Sequence, residues 1–191
     1  CLDSVNKSIE QNKIKDFEVI YVDSNSADDS ITRAKKFDNI KIVKLTGACN
    51  AAIARNTGVL FSNFKTLYFI DGDMEIMPEF IPRIFNGDNK LIHPFVSGQY
   101  INYFYNENNE LVNKAIYDKS LESGDKYKVV TGGLFAIKKE VWELNNGMKN
   151  KFKMGEDIDF GLRLAKKGVK LLRKQETMAI HHTIHYRDNK R

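Results

Sequence analysis

Three short apolar runs, separated by two helical patterns, constrain this chain more than any other feature. "FEVIYVD", "IKIVKL" and "TLYFID" are rich in β-branched and aromatic residues, and "SADDSITRAKKF" and "CNAAIARNTGVLFSN" lie between them. Strand, helix, strand, helix, strand at this spacing predicts parallel βαβ units with right-handed crossovers. The first and third runs end in aspartates, Asp23 and Asp71, with Asp73 following one residue later. Ligands of open parallel sheets sit outside the carboxyl ends of the strands, so two acidic strand ends in one sheet mark a candidate site. The alternation also expects a strand ahead of the opening helix, "CLDSVNKSIEQ", whose Leu2, Val5 and Ile9 share one face. The chain therefore reads as N-terminally clipped, with an uncovered sheet edge of the kind that invites self-association.

The second half is less regular. "EFIPRIF" predicts a short helix with Pro82 in its first turn, "HPFVSGQYINYFYN" a long strand, and "ENNE" a turn leading back. "GGLFAIKKEVWELNNG" reads as a strand and then a helix closed by Gly147. "EDIDFGLRLAKKG" reads as an amphipathic helix with Ile158, Leu162 and Ala165 on its apolar side and Gly168 as its stop, and "TMAIHH" as a final strand. In the first half, Ser26 with Asp29 three residues on resembles a capping box. A chain of 191 residues suits one domain with a sizeable core.

Composition excludes several classes. No apolar run approaches the roughly 18 residues of a membrane span, and no signal-peptide pattern opens the sequence. Cys1 and Cys49 are too few for a disulfide framework or a zinc site, which makes a reducing, cytoplasmic setting the default. The net charge of +5 suits an anionic ligand or an anionic membrane surface. The basic residues are scattered rather than clustered, which argues against nucleic acid.

Each candidate residue has a plain reading beside a chemical one. Asp71 and Asp73 flank Gly72 as turn residues do, or they hold a divalent cation. Arg55, next to Asn56 in "AIARNTG", is a surface arginine or a planar fork of donors near a phosphate or base. Glu156 and Asp157 complement a helix macrodipole, yet a glycine-led loop delivers them, with Asp159, where a cleft could lie. His181, His182 and His185 form a cluster that, beside aspartates, suits manganese or a similar ion.

The order "VIYVDSNSADDS", "ARNTG", "LYFIDGDMEI", "NNGMKNKFKMGEDIDFGLRLAKKG" and a terminal histidine strongly resembles the inverting glycosyltransferases of family 2, over nearly the whole chain. The resemblance implies a single α/β domain with a GT-A-like fold. Its central sheet would be mostly parallel and flanked by helices, with a smaller antiparallel acceptor-side portion. Residues 1–75 would form the nucleotide-sugar-binding half and 76–191 the acceptor-side half. It further implies a Mn2+- or Mg2+-dependent enzyme that moves a sugar from a nucleotide-diphosphate donor to a hydroxyl of a saccharide or lipid-linked acceptor. Asp23 corresponds to the aspartate on the base, with Asn25 beside it, and Arg55 to an arginine on the nucleotide side. Asp71 and Asp73 correspond to the DxD motif, Asp73 nearer the metal and Asp71 nearer the ribose. Asp157 corresponds to the general base, Glu156 to an acceptor-holding acid, and His181 or His182 to a third metal ligand. Polysaccharide or glycoconjugate synthesis at the inner membrane face, peripheral membrane association and a homo-oligomer all accord with that resemblance. Two features depart from it: the "PVSVIIPTYN"-like first strand is absent, and "SNSADDS" replaces the commoner "DDGSTDGS". A sugar-phosphate nucleotidyltransferase and a non-catalytic nucleotide-sugar-binding module are the alternatives.

Overall fold

The computed structural model describes residues 1–130 and 132–184. Helix α1 (Leu2–Gln11) is followed by β1 (Val19–Asp23), α2 (Ser30–Ala34), β2 (Ile40–Lys44), α3 (Ala51–Leu60) and β3 (Thr66–Phe69). A tight turn leads to β4 (Met74–Ile76) and a 3-10 segment, Pro78–Arg83. Next come β5 (Phe95–Tyr105), β6 (Leu111–Ile116), a second 3-10 segment at Lys119–Ser123 and β7 (Lys126–Lys128). The last elements are β8 (Phe135–Lys138), α4 (Lys139–Leu144), α5 (Glu156–Lys166) and β9 (Leu171–Ile184).

The α/β class expected from the sequence is present, but the central sheet is mixed and mostly antiparallel rather than mostly parallel. Among the described residues, β1 and β2 form a two-stranded parallel sheet, and seven strands form a second sheet along the path β3-β8-β5-β9-β4, with β6 on β5 and β7 on β9. Only β5 and β9 run parallel within the larger sheet. The cause is the partner that β3 takes. Strand β8 sets Phe135 opposite Phe69 and Ile137 opposite Leu67 in antiparallel register, and such cross-strand apolar pairs are what stabilise a sheet.

Strands at the centre of the sheet are covered on both faces, so their residues are apolar without alternation. Phe95, Phe135 and Ile137 pack with Ala52, Val59, Trp142, Phe160 and Leu164 on the side of α3, α4 and α5. Their neighbours Val96 and Ala136 pack with Met74, Phe80, Ile84, Met178 and Ala179 on the other side. Trp142 lies 4.7 Å from Phe160 and 4.8 Å from Phe69 between ring centroids, which fastens α4 and α5 to the end of β3.

Several local expectations change. Helix α2 begins at Ser30, not after Ser26, because the Asp23 carboxylate takes the Ser26 amide and Asp28 takes that of Ser30. Asparagine and aspartate side chains compete in this way with helical bonding. The "EFIPRIF" segment is a 3-10 turn with Pro82 inside it. In α5 the buried residues are Phe160, Gly161 and Leu164, while Ile158 and Leu162 remain 46% and 49% exposed. The final strand is longer than "TMAIHH", running as β9 from Leu171 to Ile184 with His181 and His182 inside it, and His185 lies outside the described residues. Among the described residues no helix is long and apolar enough to cross a membrane.

Candidate active site

The turn that joins β3 to β4 is built by Asp71, Gly72 and Asp73. The Met74 amide donates to the Asp71 carbonyl at 3.1 Å, and the His182 amide donates to the Asp73 carbonyl at 2.8 Å. The turn reading is therefore realised, and closing the turn through the backbone leaves both carboxylates to act elsewhere.

Asp73 Oδ2 lies 3.3 Å from His181 Nε2. The other ring nitrogen, Nδ1, is 2.8 Å from Asn102 Oδ1. The hydrogen bond from His181 holds the Asp73 carboxyl below its ordinary value, and Asp73 in turn raises the imidazole pKa. His182 does not share this place. Successive strand residues point to opposite faces, and His182 meets the Tyr105 hydroxyl at 2.7 Å and Glu75 Oε1 at 3.2 Å.

Asp71 faces a different partner. Arg55, only 9% exposed, reaches Asp71 Oδ1 at 2.8 Å with one terminal nitrogen and Glu156 Oε1 at 2.9 Å with the other. Burial raises the pKa of the Asp71 carboxyl even with Arg55 beside it. Burial alone would lower the guanidinium's pKa, but the two carboxylates outweigh it and hold it above its ordinary value. The fork of donors seen in the sequence is thus committed to two carboxylates 85 residues apart in the chain, from 71 to 156.

Asp157 sits in the first turn of α5. Gly155, in the left-handed region at φ 79°, takes the N-cap position, so Asp157 is not the cap. Its Oδ2 accepts from the Gly132 amide at 3.1 Å. Asp159 turns away to Arg163 at 2.7 Å and Lys149 at 3.2 Å and serves the fold. Asp23 is 1% exposed and caps the Ser26 amide at 3.0 Å, with Asn25 at φ 63° in the same loop. Among the described residues no hydrogen bond or ion pair links Asp23 or Asn25 to the Asp71–Asp73 turn.

Two features escaped the sequence reading. Gly132 and Gly133 lie between the carboxylates: Gly132 donates to Asp157, and a Cβ on Gly133 would stand 1.7 Å from Asp71 Oδ2. Consecutive glycines ahead of an apolar strand were the available signal. Asn102 is the second, and nothing in "QYINYFY" marks it.

As to a cation, the described residues contain no cluster of three or more histidine, cysteine or carboxylate ligands. At the Asp71–Asp73 turn, Asp73 and His181 are the pair disposed for one. Two donors each about 2.1 Å from one ion, at right angles, stand about 3.0 Å apart, and the 3.3 Å between these atoms fits that spacing. Such a pair would leave most coordination positions to oxygens of another molecule.

The model of a family described as glycosyl transferase family 2 matches residues 1–144. The chain belongs to that family. A second model, described as the N-terminal domain of galactosyltransferase, matches residues 115–188. No curated protein matches the chain. The family 2 match spans Asp23, Arg55 and the Asp71–Asp73 turn, whereas Glu156, Asp157 and His181 fall within the second match alone. Glycosyl transfer is accordingly the class of reaction that the chain's family membership supports.

Proposed function

We propose that this chain moves a sugar from a nucleoside-diphosphate donor to an acceptor hydroxyl with inversion, assisted by Mn2+ or Mg2+. The observation that carries this reading is Arg55. By gripping Asp71 and Glu156 together it holds the Asp71–Asp73 turn beside the start of α5, and so sets the proposed donor half, residues 1–75, against the proposed acceptor half, residues 76–191.

In the transfer, the bond from the anomeric carbon to the diphosphate oxygen breaks as the acceptor oxygen bonds to the opposite face of that carbon. The acceptor proton passes to a carboxylate within hydrogen-bond reach. Asp157 is that base in our reading. Gly132 occupies its Oδ2, and among the described residues Oδ1 is left to accept. Glu156 holds Arg55 and borders the acceptor, and Asp71 meets the donor ribose. Asp23 and Asn25 belong to the base end of the donor. Asp73 and His181 would hold the cation, which supplies neutralisation of the charge developing on the diphosphate. His182 faces Tyr105 and Glu75 and takes no part in this assignment.

The name of the second matching family makes a nucleoside-diphosphate galactose the first donor to try, with saccharides and lipid-linked saccharides as acceptors. Titration calorimetry tests the reading. A nucleoside diphosphate with Mn2+ is expected to bind at least about tenfold more tightly than with chelator, and Asp73→Ala to abolish that difference in a folded protein. Equal affinity with and without Mn2+ would remove the cation from the proposal.

A further inference from the structure

Strands β5 and β9 run parallel with Asn102 in register with His181 and Tyr100 in register with Ala179. The register puts the Asn102 amide beside the imidazole, with Oδ1 2.8 Å from Nδ1. The Tyr100 ring meets the same imidazole edge-on at 5.9 Å and 85°. Asp73 Oδ2 faces the opposite ring nitrogen, Nε2, at 3.3 Å.

A neutral imidazole has one proton to place. The Asp73 carboxylate draws it to Nε2, which would close the nitrogen that points at the Asp73 oxygens. A carbonyl oxygen only accepts, so Asn102 Oδ1 favours the form with the proton on Nδ1 and a lone pair on Nε2. Only that form can share a cation with Asp73, because a metal-bound nitrogen carries no proton, and the hydrogen bond of the other nitrogen decides which one is free. Resting on the cation reading above, we propose that Asn102 is a positioning residue. It fixes the His181 ring and its proton so that Nε2 and Asp73 take up Mn2+ together, with the edge of Tyr100 steadying the ring.

Two measurements test this, and neither needs sugar transfer. Nitrogen-15 NMR of the protein saturated with Mg2+ and nucleoside diphosphate should show the His181 proton on Nδ1, slow to exchange with solvent; Asn102→Leu should speed that exchange. A wild-type ring with its proton on Nε2 would mean that Asn102 offers its amide nitrogen instead, and would overturn the assignment. Free Mn2+ measured by electron paramagnetic resonance, with nucleoside diphosphate present, should give an affinity for Asn102→Leu about 10–100-fold below wild type. Asn102→Asp keeps an acceptor at the same position, so it should retain wild-type affinity or better. If all three proteins bind Mn2+ alike while matching in thermal unfolding, the role assigned to Asn102 fails by itself. Wild-type protein that takes up no Mn2+ overturns the cation reading, and this role with it.

Discussion

Asp157 offers two carboxylate oxygens, and among the described residues one of them, Oδ2, accepts a hydrogen bond. Asparagine at this position would keep an oxygen for the Gly132 amide but would present an NH2 group where the proposed base receives a proton. Asp157→Asn is therefore expected to fold normally, bind donor nearly as well as wild type and lose about 100-fold or more in turnover. Steady-state transfer assays beside donor titrations measure this, and near-normal turnover would move the base elsewhere. The aspartates themselves were legible in the sequence, because each lies at the end of an apolar run or the start of a helix and its local setting is visible. Their partners were not. His181 and His182 differ by one residue and so by one face of β9, and only the pairing with β4 and β5 decides which faces Asp73. Arg55 read equally well as a surface residue or a phosphate ligand, because Asp71 and Glu156 reach it from other parts of the chain.

Helix α5 shows where periodicity misleads. Ile158, Leu162 and Ala165 form the more obvious apolar stripe, yet the helix buries Phe160, Gly161 and Leu164. Gly161 is the reason: a Cβ there would stand 1.7 Å from the Val129 carbonyl oxygen, so the glycine face is the one that can approach the chain closely. Phe160 then enters the aromatic core beside Trp142 and Phe95. The orientation is held at the rim by Asp159, which takes Arg163 and Lys149, while Arg163 also donates to the Asn145 and Gly147 carbonyls. Burial by itself would raise the Asp159 carboxyl, but the bonds from Arg163 and Lys149 prevail and hold its pKa below the ordinary 3.8. A carboxylate depressed in this way contributes stability above its unfolded pKa and loses it as the pH falls through the folded one. Asp159→Asn should therefore cost about 1.5 kcal/mol near neutrality, the low end for hydrogen bonds to a charged group. The gap to wild type should narrow steadily as the pH drops below about 4. Urea unfolding from pH 7 down to the acid limit checks both parts, and a gap that stays constant with pH would assign the loss to packing.

At the scale of the molecule, the α/β class could be read from the alternating runs, but the sheet could not. Three strands in the first 70 residues suggest parallel neighbours, whereas β3 pairs with β8 from much later in the chain and β9 enters between β5 and β4. Long-range pairing is chosen by side-chain complementarity, which the order of elements does not disclose. A long separation in sequence also divides the groups that Arg55 joins, and that gives the fold a point of measurable weakness. Removing one member of a buried ion cluster leaves the others without compensation and typically costs about 3–5 kcal/mol, whereas replacing the whole cluster with neutral groups is often close to neutral. Arg55→Met leaves Asp71 and Glu156 facing an apolar side chain. Because Asp71 keeps 42% of its side chain in solvent while Glu156 keeps 13%, we expect a loss near the lower end, about 3 kcal/mol. Arg55→Lys retains the charge but cannot offer two directed donors from one plane, so it should recover only part of that loss. Adding Asp71→Asn and Glu156→Gln to Arg55→Met should restore most of the stability while leaving donor affinity low, since the carboxylate proposed to meet the donor ribose is then gone. Urea unfolding of the four proteins separates these cases. A single Arg55→Met variant within about 1 kcal/mol of wild type would place the guanidinium on solvent or ligand rather than between the two carboxylates, and would return Arg55 to the donor.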